Sequence, residues 1–337
     1  MLLQWYRIMN KKIILPISEP IYSTYHYQMC GSAVISSNPS IRNWYLNNAV
    51  VLRCNREFMG KFSSPGICIK NSSFMCNPYL NKIELPLKYI SDLKKTIINL
   101  LSDGYYIFYD GIDDYYVEGK TWYKSRHFIH DGLIFGYDFN DSKYHIYSYD
   151  KNWLLRSFET PAKGLSLGKN SSFKKGYFGK FYGIKPKSKQ IDIDIEQIKH
   201  EITEHLDSSW NKYPAHIIDY AFGTVVHEYM ALYLYKLIIG AVPYESMDWR
   251  IFRVLWEHKK IMLERIIAVE KELLMDNSIS EQYKSILKTA DTMRMLYATH
   301  HMKRRDSLLS TIHKMLLDLN ESEKSILNDF LNKIERE

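Results

Sequence analysis

Cysteine is the residue type in this chain best suited to covalent chemistry, and all four cysteines lie in the first quarter of 337 residues. Their spacings match neither a CxxC pair nor a zinc-finger pattern, so we expect no metal site from them. One of them has a distinctive context, because the polar, aromatic segment 23–29 (STYHYQM) precedes it and small residues at 31–37 (GSAVISS) follow it. The four cysteines are Cys30, Cys54, Cys68 and Cys76.

Cys30 is the residue with this context, and we interpret it as the candidate nucleophile. The small residues after it can begin a helix that packs closely on a sheet. A thiol at a helix N-terminus has a lowered pKa, because the helix dipole and free N–H groups favour the thiolate. The same N–H groups can hold an oxyanion. We therefore expect Cys30 to lie at the start of a helix.

A nucleophilic thiol also needs a base and a group that orients the base. His130 stands at the start of an apolar strand within the segment 127–138 (HFIHDGLIFGYD), and a second strand after a turn ends at Asp150. In an antiparallel hairpin, the start of the first strand and the end of the second lie side by side. The sequence therefore predicts a triad of Cys30, His130 and Asp150.

Two other residues stay open for these roles. His127 could be the base and Asp138 the orienting acid, because the sequence determines neither strand register nor the face on which a side chain lies. Each candidate also has a purely structural interpretation. A single cysteine is most often inert packing, and an aspartate at the end of a hairpin strand is a common turn residue.

The elements that must position these residues change in type along the chain. Short β-type runs dominate up to the polar stretch 185–189 (KPKSK), and the later part is helical in pattern. We therefore predict two domains, 1–187 and 188–337. The predicted strands are 50–53, 66–70, 105–109, 133–137, 144–149 and 177–184, and the predicted helices are 88–101, 194–206, 221–239, 249–274, 281–301, 306–317 and 321–334.

Composition narrows the functional class. The chain is 46% hydrophobic and 25% charged, which is a globular balance, and its net charge of +7 accompanies 38 acidic residues. We expect no nucleic-acid partner, because this excess of positive charge is modest. The first residues do not form a secretory signal, and no apolar run reaches the roughly 20 residues of a membrane span. We therefore expect a cytoplasmic protein.

Motifs for common cofactors are missing from the sequence. His227 and Glu228 begin like the HExxH zinc motif, but position 231 is Ala231, so we expect no zinc site there. The sequence has neither a Walker loop nor a glycine-rich dinucleotide fingerprint. We expect no metal and no bound cofactor.

Three segments carry a resemblance to a known family. The stretches 104–116 (GYYIFYDGIDDYY), 127–138 and 248–259 (DWRIFRVLWEHK) resemble the family named for butirosin biosynthesis protein H. The resemblance implies an α+β protein with a papain-like (cysteine protease-like) α/β N-terminal domain, built on an antiparallel sheet, and an α-helical C-terminal domain. That family includes the condensing enzyme of closthioamide biosynthesis.

The resemblance also implies a function. An acyl chain on the phosphopantetheine thioester of an acyl or peptidyl carrier protein would pass to Cys30 and then to a small-molecule amine, without ATP, in nonribosomal peptide or other natural-product biosynthesis. Cys30, His130 and Asp150 match the nucleophile, the base and the orienting acid. Papain-type enzymes place an oxyanion glutamine about six residues before the cysteine, whereas Gln28 is only two residues before it.

Further residues are candidates for substrate binding, and other functions stay open. A thiol protease or amidase would use the same triad, and a non-enzymatic scaffold would use none of it. The apolar faces of the C-terminal helices could cover the active site, bind the carrier protein or form a homodimer. The candidate substrate-binding residues are Gln28, Trp44, Tyr45, Asn48 and Trp122, with Tyr123 as a further wall.

Overall fold

The computed structural model describes residues 11–58, 64–208 and 219–337. The protein is a mixed α+β chain with antiparallel sheets and a helical C-terminal region, as the sequence predicts. It divides into two compact units, each made of two chain segments. Unit 1 comprises Met1–Ile41 and Ser73–Gln190, and unit 2 comprises Arg42–Ser72 and Ile191–Glu337.

Unit 1 is an antiparallel sheet with helices packed on it. The sheet has the strand order β4-β9-β5-β6-β7-β8, and β1 pairs with β6. Its strands are β1 (Lys12–Ile14), β4 (Leu80–Pro86), β5 (Tyr106–Asp113), β6 (Ile129–Asp138), β7 (Lys143–Tyr149), β8 (Leu155–Pro161) and β9 (Lys180–Pro186), and its helices are α1 (His26–Ser36), α3 (Leu93–Ser102) and α4 (Ala162–Lys174).

The helix α3 shows how local sequence builds this core. The side chain of Asp92 accepts a hydrogen bond from the N–H of Lys95 and so caps the first turn. Leu93, Ile97 and Leu101 recur at four-residue spacing, which places them on one face of the helix. All three are buried in the core that α3 and α4 form with the central strands.

Unit 2 combines a small sheet with long helices. Its three strands pair in the order β10-β2-β3. The strands are β2 (Leu52–Asn55), β3 (Cys68–Ile69) and β10 (Tyr220–Phe222), and the helices are α5 (Ile195–Asp207), α6 (Val226–Ile238), α7 (Ile251–Glu272), α8 (Ser278–Lys303) and α9 (Ser307–Ile334), with α2 (Pro39–Asn48) leading into this unit. No helix in the described ranges has the length and apolar character that a membrane span requires.

The division of the chain differs from the predicted one in the segment 42–72. Unit 1 ends at Gln190, close to the predicted boundary, but Arg42–Ser72 belongs to the helical unit. The physical reason lies in its hydrogen bonds. The strand β2 pairs with β10, and the guanidinium of Arg265 donates to the backbone carbonyl oxygens of Leu46 and, at 3.0 Å, Ala49. Polarity alone could not reveal these long-range partners.

The last predicted helix boundary is wrong. The sequence predicts two helices that meet near Asn320, yet α9 runs unbroken from Ser307 to Ile334. Leu316, Leu319 and Ile326 are all buried on it, and their spacing continues one apolar stripe through Asn320. Asn320 is itself buried and does not cap a helix.

Candidate thiol site

The helix α1 carries Cys30, but not at its N-terminus. The N-cap residue is Tyr25, and Cys30 is the fifth helical residue and is fully buried. Burial raises the pKa of the Cys30 thiol well above its ordinary value, and the negative charge of Asp131 raises it further, while Lys120 opposes the shift. The predicted lowered pKa is therefore wrong, because Cys30 is buried and because the helix begins four residues earlier than expected, which removes the thiol from the N-terminus. Cys30 rests as a protonated thiol.

His26 begins the same helix, one turn before Cys30. Residues four apart on a helix share a face, with Cβ atoms about 5–6 Å apart. The Nδ1 atom of His26 contacts Oδ1 of Asp131, and its Nε2 atom is 3.4 Å from Oγ of Ser148. Burial lowers the pKa of His26, although Asp131 opposes the shift, so the imidazole is neutral near pH 7. The four-residue spacing therefore places a neutral imidazole on the same helix face as the thiol.

His130 is the second imidazole of the site. Its Nδ1 is 3.3 Å from Oδ2 of Asp114, and its Nε2 is 3.6 Å from Oδ1 of Asp131. The rings of His26 and His130 have centroids 4.7 Å apart. The strand register places His130 opposite Ile112, beyond a bulge in β5. Both nitrogens of His130 face carboxylates, and its side chain is 33% exposed, which makes it the more accessible of the two imidazoles.

A buried lysine balances the acidic groups. Lys120 is 2% exposed, and its ammonium donates to the backbone oxygen of Asp131 at 2.6 Å and to Oγ of Ser148 at 2.8 Å. It also lies 3.7 Å from Oδ1 of Asp114. An ammonium in this position offsets the charge of two carboxylates, which would otherwise repel each other. We call these residues the polar cluster: His26, Asp114, Lys120, His130, Asp131 and Ser148.

Tyr109 adds a possible hydrogen-bond donor. Its hydroxyl is buried and has no hydrogen-bond partner within the described part of the chain. Burial raises its pKa, and the charges of Asp114, Asp131 and a Cys30 thiolate raise it further, so the hydroxyl keeps its proton. A Cβ at Gly132 would lie 2.6 Å from this oxygen, so only glycine allows the approach.

The predicted orienting acid, Asp150, is not paired with His130. Its carboxylate accepts hydrogen bonds from the N–H groups of Asn152 and Leu154 at 2.8 and 3.0 Å and binds the guanidinium of Arg156. The ladder between β6 and β7 ends before it reaches His130. Asp150 is thus a turn residue, and the role predicted for it has no support in this geometry.

The two alternative residues are also engaged elsewhere. Nδ1 of His127 is 2.8 Å from Oδ2 of Asp113, and the carboxylate of Asp138 is 2.8 Å from the ammonium of Lys12. Asp138 lies eight residues along β6 from His130, a distance of roughly 27 Å in an extended strand. Neither residue joins the polar cluster.

The predicted substrate residues divide between the units. Gln28 is buried in α1. Residues two apart on a helix do not share a face, so the side chains of Gln28 and Cys30 lie on different faces of α1. Trp44, Tyr45 and Asn48 belong to unit 2, where the rings of Trp44 and Tyr45 contact each other with centroids 5.1 Å apart. Nδ2 of Asn48 donates to the backbone oxygen of Trp44 at 2.9 Å.

Aromatic contacts connect Trp122 to His130 of the polar cluster through the ring of Phe128. Its ring centroid is 6.1 Å from that of Phe128 and 6.0 Å from that of Trp153, and Phe128 is 5.0 Å from the ring of His130. Phe128 and Trp153 are 37% and 59% exposed. These two rings and the half-buried ring of Trp122 form a partly exposed aromatic patch next to His130.

A surface cleft of about 550 Å³ lies beside the cluster. Lys120, Tyr123, Asp150 and Phe158 are among the residues that line it. Lys120 is the one residue that the lining of the cleft and the polar cluster have in common. Tyr123 therefore lines this cleft, but Cys30 is not among the residues that line it.

Sequence reasoning missed His26, Asp131, Asp114, Lys120 and Tyr109. A signal existed for His26, because its four-residue spacing from Cys30 places both on one helical face once the helix starts early enough. Donor atoms of His26, His130 and Asp131 lie within 4.8 Å of one another and could also hold a metal ion. No family model matches the chain, and a search of curated proteins gives no match either.

Proposed function

We propose that the protein is a cysteine-dependent acyltransferase that uses Cys30 as nucleophile, His26 as base and Asp131 as the acid that orients the base. The observation that carries the proposal is the position of Cys30 one helical turn from a neutral imidazole whose Nδ1 contacts a carboxylate. A cysteine-bearing helix packed on an antiparallel sheet is similar to the arrangement of a papain-like domain, which we propose as the fold of unit 1, with the difference that the proposed base lies on the helix and only the acid lies on the sheet.

The reaction needs no external energy source. Nε2 of His26 accepts the Cys30 proton while sulfur attacks the carbonyl carbon of a carrier-protein thioester. The bond from this carbon to the phosphopantetheine sulfur breaks, and the leaving thiolate takes the proton from the imidazolium. An amine then attacks the acyl-enzyme, gives a proton to His26 and forms the amide as the Cys30–acyl bond breaks. Cys30 recovers that proton.

Two features of the polar cluster fit this chemistry. The Tyr109 hydroxyl is a protonated donor without a partner among the described residues, and it can stabilise the oxyanion, a role for which the sequence predicts no donor. The aromatic patch of Trp122, Phe128 and Trp153 offers apolar surface for an acyl chain. An acyl chain that covers this surface would exclude water from the thioester and so favour an amine as acceptor.

One observation favours a second candidate function. Cys30 has no exposed surface, and burial raises the pKa of its thiol. A packed, protonated cysteine is typical of a structural core. The second candidate is therefore a non-enzymatic binding protein of a biosynthetic system, in which Cys30 only fills space.

Incubation of the full chain with an acyl-carrier thioester, with and without a small diamine, separates these functions. We expect an acyl adduct on Cys30 by mass spectrometry that converts to amide only when the diamine is present. Release as free acid would instead indicate a thiol protease or amidase. If no adduct forms, both enzyme hypotheses are wrong.

Variants then identify the residues. Cys30→Ala should abolish the adduct, whereas Cys76→Ala, which removes an exposed thiol, should leave it unchanged. His26→Asn should slow adduct formation by about 10²–10⁴-fold, the usual contribution of a general base. His130→Asn should slow it by about tenfold, because His130 acts only through Asp131. A larger loss in His130→Asn than in His26→Asn would assign the base to His130.

A further inference from the structure

A second group of histidines lies inside unit 2. His205 on α5 and His258 on α7 approach Glu323 on α9, and one donor atom from each of the three lies within 4.8 Å of the others. All three side chains are fully buried. The imidazole rings of His205 and His258 have centroids 5.0 Å apart. Two imidazoles and a carboxylate are the donor set of many zinc sites.

A hydrogen bond of His258 determines the tautomer of its ring, and this tautomer has a nitrogen free to bind metal. Its Nε2 lies 2.6 Å from the backbone oxygen of Val50, an acceptor, so Nε2 carries the proton. Nδ1 is then an unprotonated donor atom, and it has no partner among the described residues. Metal-binding histidines commonly show this pattern, because the outer N–H bond fixes the orientation of the ring.

His205 is less satisfied still. Neither of its ring nitrogens has a hydrogen-bond partner in the described part of the chain, although the side chain has no exposed surface. One of the two nitrogens of a neutral imidazole always carries a free lone pair. Burial of a polar group without a hydrogen-bond partner costs free energy, so a bound ligand that pairs with these nitrogens would stabilise the folded chain.

We propose that His205, His258 and Glu323 bind a divalent transition-metal ion of the zinc class. Nitrogen and carboxylate donors select such ions over Ca²⁺ and Mg²⁺, which prefer all-oxygen sites. Tetrahedral ligands at about 2.0–2.2 Å from the metal lie roughly 3.4 Å apart. The three donors therefore need to move inward by only about an ångström.

Lys259 is the group with which the metal competes. Its ammonium lies 2.5 Å from Oε2 of Glu323 and 3.2 Å from Nε2 of His227. The hydroxyl of Tyr283 donates to Oε1 of Glu323. A metal ion must therefore displace Lys259 from the carboxylate, and the charge of Lys259 opposes its arrival. The site holds either the ammonium or the metal on Glu323.

This competition gives the proposal a sharp test. The full chain is stripped with a chelator, dialysed against Zn²⁺ or Co²⁺, and its metal content is measured. We expect a bound ion at this site, a Co²⁺ absorption spectrum typical of nitrogen and oxygen ligands, and a rise in melting temperature with Zn²⁺. His258→Gln should lower the metal content by one ion per chain and remove the rise in melting temperature, whereas His200→Ala, an exposed histidine on the same helix as His205, should change neither. His26→Asn should also leave both unchanged, since it removes a ligand of the other candidate group.

Lys259→Met distinguishes a metal site from a purely structural ion pair. Removal of a like charge a few ångströms away should tighten Zn²⁺ binding by about tenfold or more. The variant should also regain thermal stability when Zn²⁺ is added, and Lys259→Met/Glu323→Gln should not. If neither the natural chain nor Lys259→Met binds the ion, or if Lys259→Met is not stabilised by Zn²⁺, the proposal is wrong.

Discussion

The Nδ1 atom of His26 contacts the carboxylate of Asp131, and this pair joins the first residue of α1 to the third residue of β6. It is the reason that we propose His26 as the base for Cys30. Nε2 of His26 has the Ser148 hydroxyl at 3.4 Å and no carboxylate, whereas both nitrogens of His130 face carboxylates. The pair therefore transfers the proposed base from the sheet to the helix that carries the thiol.

Thiol accessibility should differ sharply among the four cysteines. Only Cys76 is exposed, and burial raises the pKa values of Cys30, Cys54 and Cys68. Because the thiolate is the reactive form, iodoacetamide should modify Cys76 first in the folded protein. Peptide mass spectrometry over time measures the order, and modification in guanidinium chloride should reach all four. Equal rates for Cys30 and Cys76 in the folded state would contradict the buried thiol.

Gly31→Ala should destabilise the protein. An added Cβ would lie 2.4 Å from Cβ and 3.0 Å from Cα of Phe74, and a backbone atom cannot move away cheaply. We expect a net loss in the free energy of unfolding, because overpacking against a backbone atom costs up to about 3 kcal/mol and the gain in helix propensity is only about 1 kcal/mol. Urea denaturation measures it.

Gly240→Ala is the matched control for Gly31→Ala. Nothing lies within 4 Å of its added Cβ, and its φ is +71°. The substitution should cost only the strain of the left-handed backbone, about 1–2 kcal/mol. A stability of Gly31→Ala equal to that of the natural chain would mean that α1 can shift away from Phe74.

Asp113 should make stability depend on acid pH. Burial alone would raise its pKa, but hydrogen bonds from Ser171, Lys175 and His127 outweigh burial and lower the pKa to about 2, from an ordinary 3.8. A carboxyl whose pKa is lower in the folded than in the unfolded chain stabilises the folded state at pH values above the unfolded-state pKa. This contribution disappears as the pH falls from about 4 to 2. It amounts to about 2 kcal/mol. Asp113→Asn should lose it at pH 7, whereas Asp141→Asn, with an exposed side chain, should not.

The measurement is the free energy of unfolding between pH 2 and pH 7. The natural chain should lose more stability over the acid range than Asp113→Asn does. Parallel pH profiles for the two proteins would show that Asp113 has the same pKa in the folded and unfolded states.

Glu323→Gln should leave a buried ammonium without its charge partner. Lys259 and Glu323 are both fully buried, and breaking such a pair costs about 3–5 kcal/mol. Glu321→Gln on the same helix is the control, because Glu321 forms an exposed pair with Lys324 whose loss should cost less than about 1 kcal/mol. Chemical denaturation compares the two variants. Equal, small losses would mean that Lys259 finds another partner.

Hydrophobic spacing predicts some elements of the fold closely. The prediction of a helix over 249–274 agrees with α7 at Ile251–Glu272, because a long amphipathic pattern repeats over several turns. The strand β8 was not predicted, since Leu155–Pro161 buries few of its residues and shows no clear alternation. The helix α4 was not predicted either, because its glycines and serines weaken helix propensity.

The candidate site was harder to predict for a different reason. The chain order brings His130 and Asp150 to the same end of β6 and β7, as expected. The direction of the Asp150 carboxylate depends on N–H groups of the following turn. Lys120 reaches Asp131 from the connection between β5 and β6, and no local pattern marks such a contact.

The segment Arg42–Ser72 has a consequence for how the chain folds during synthesis. The strand β2 can pair only after β10 has been synthesised, since Cys54 pairs with Ala221. The backbone oxygen of Val50 likewise gains its hydrogen bond only after His258 has been synthesised. Such distant contacts carry a high loop-closure entropy and slow folding. Unit 1 can therefore close on the ribosome while this early segment is still unpaired, and a chain that stops near residue 190 would expose a strand edge prone to aggregation.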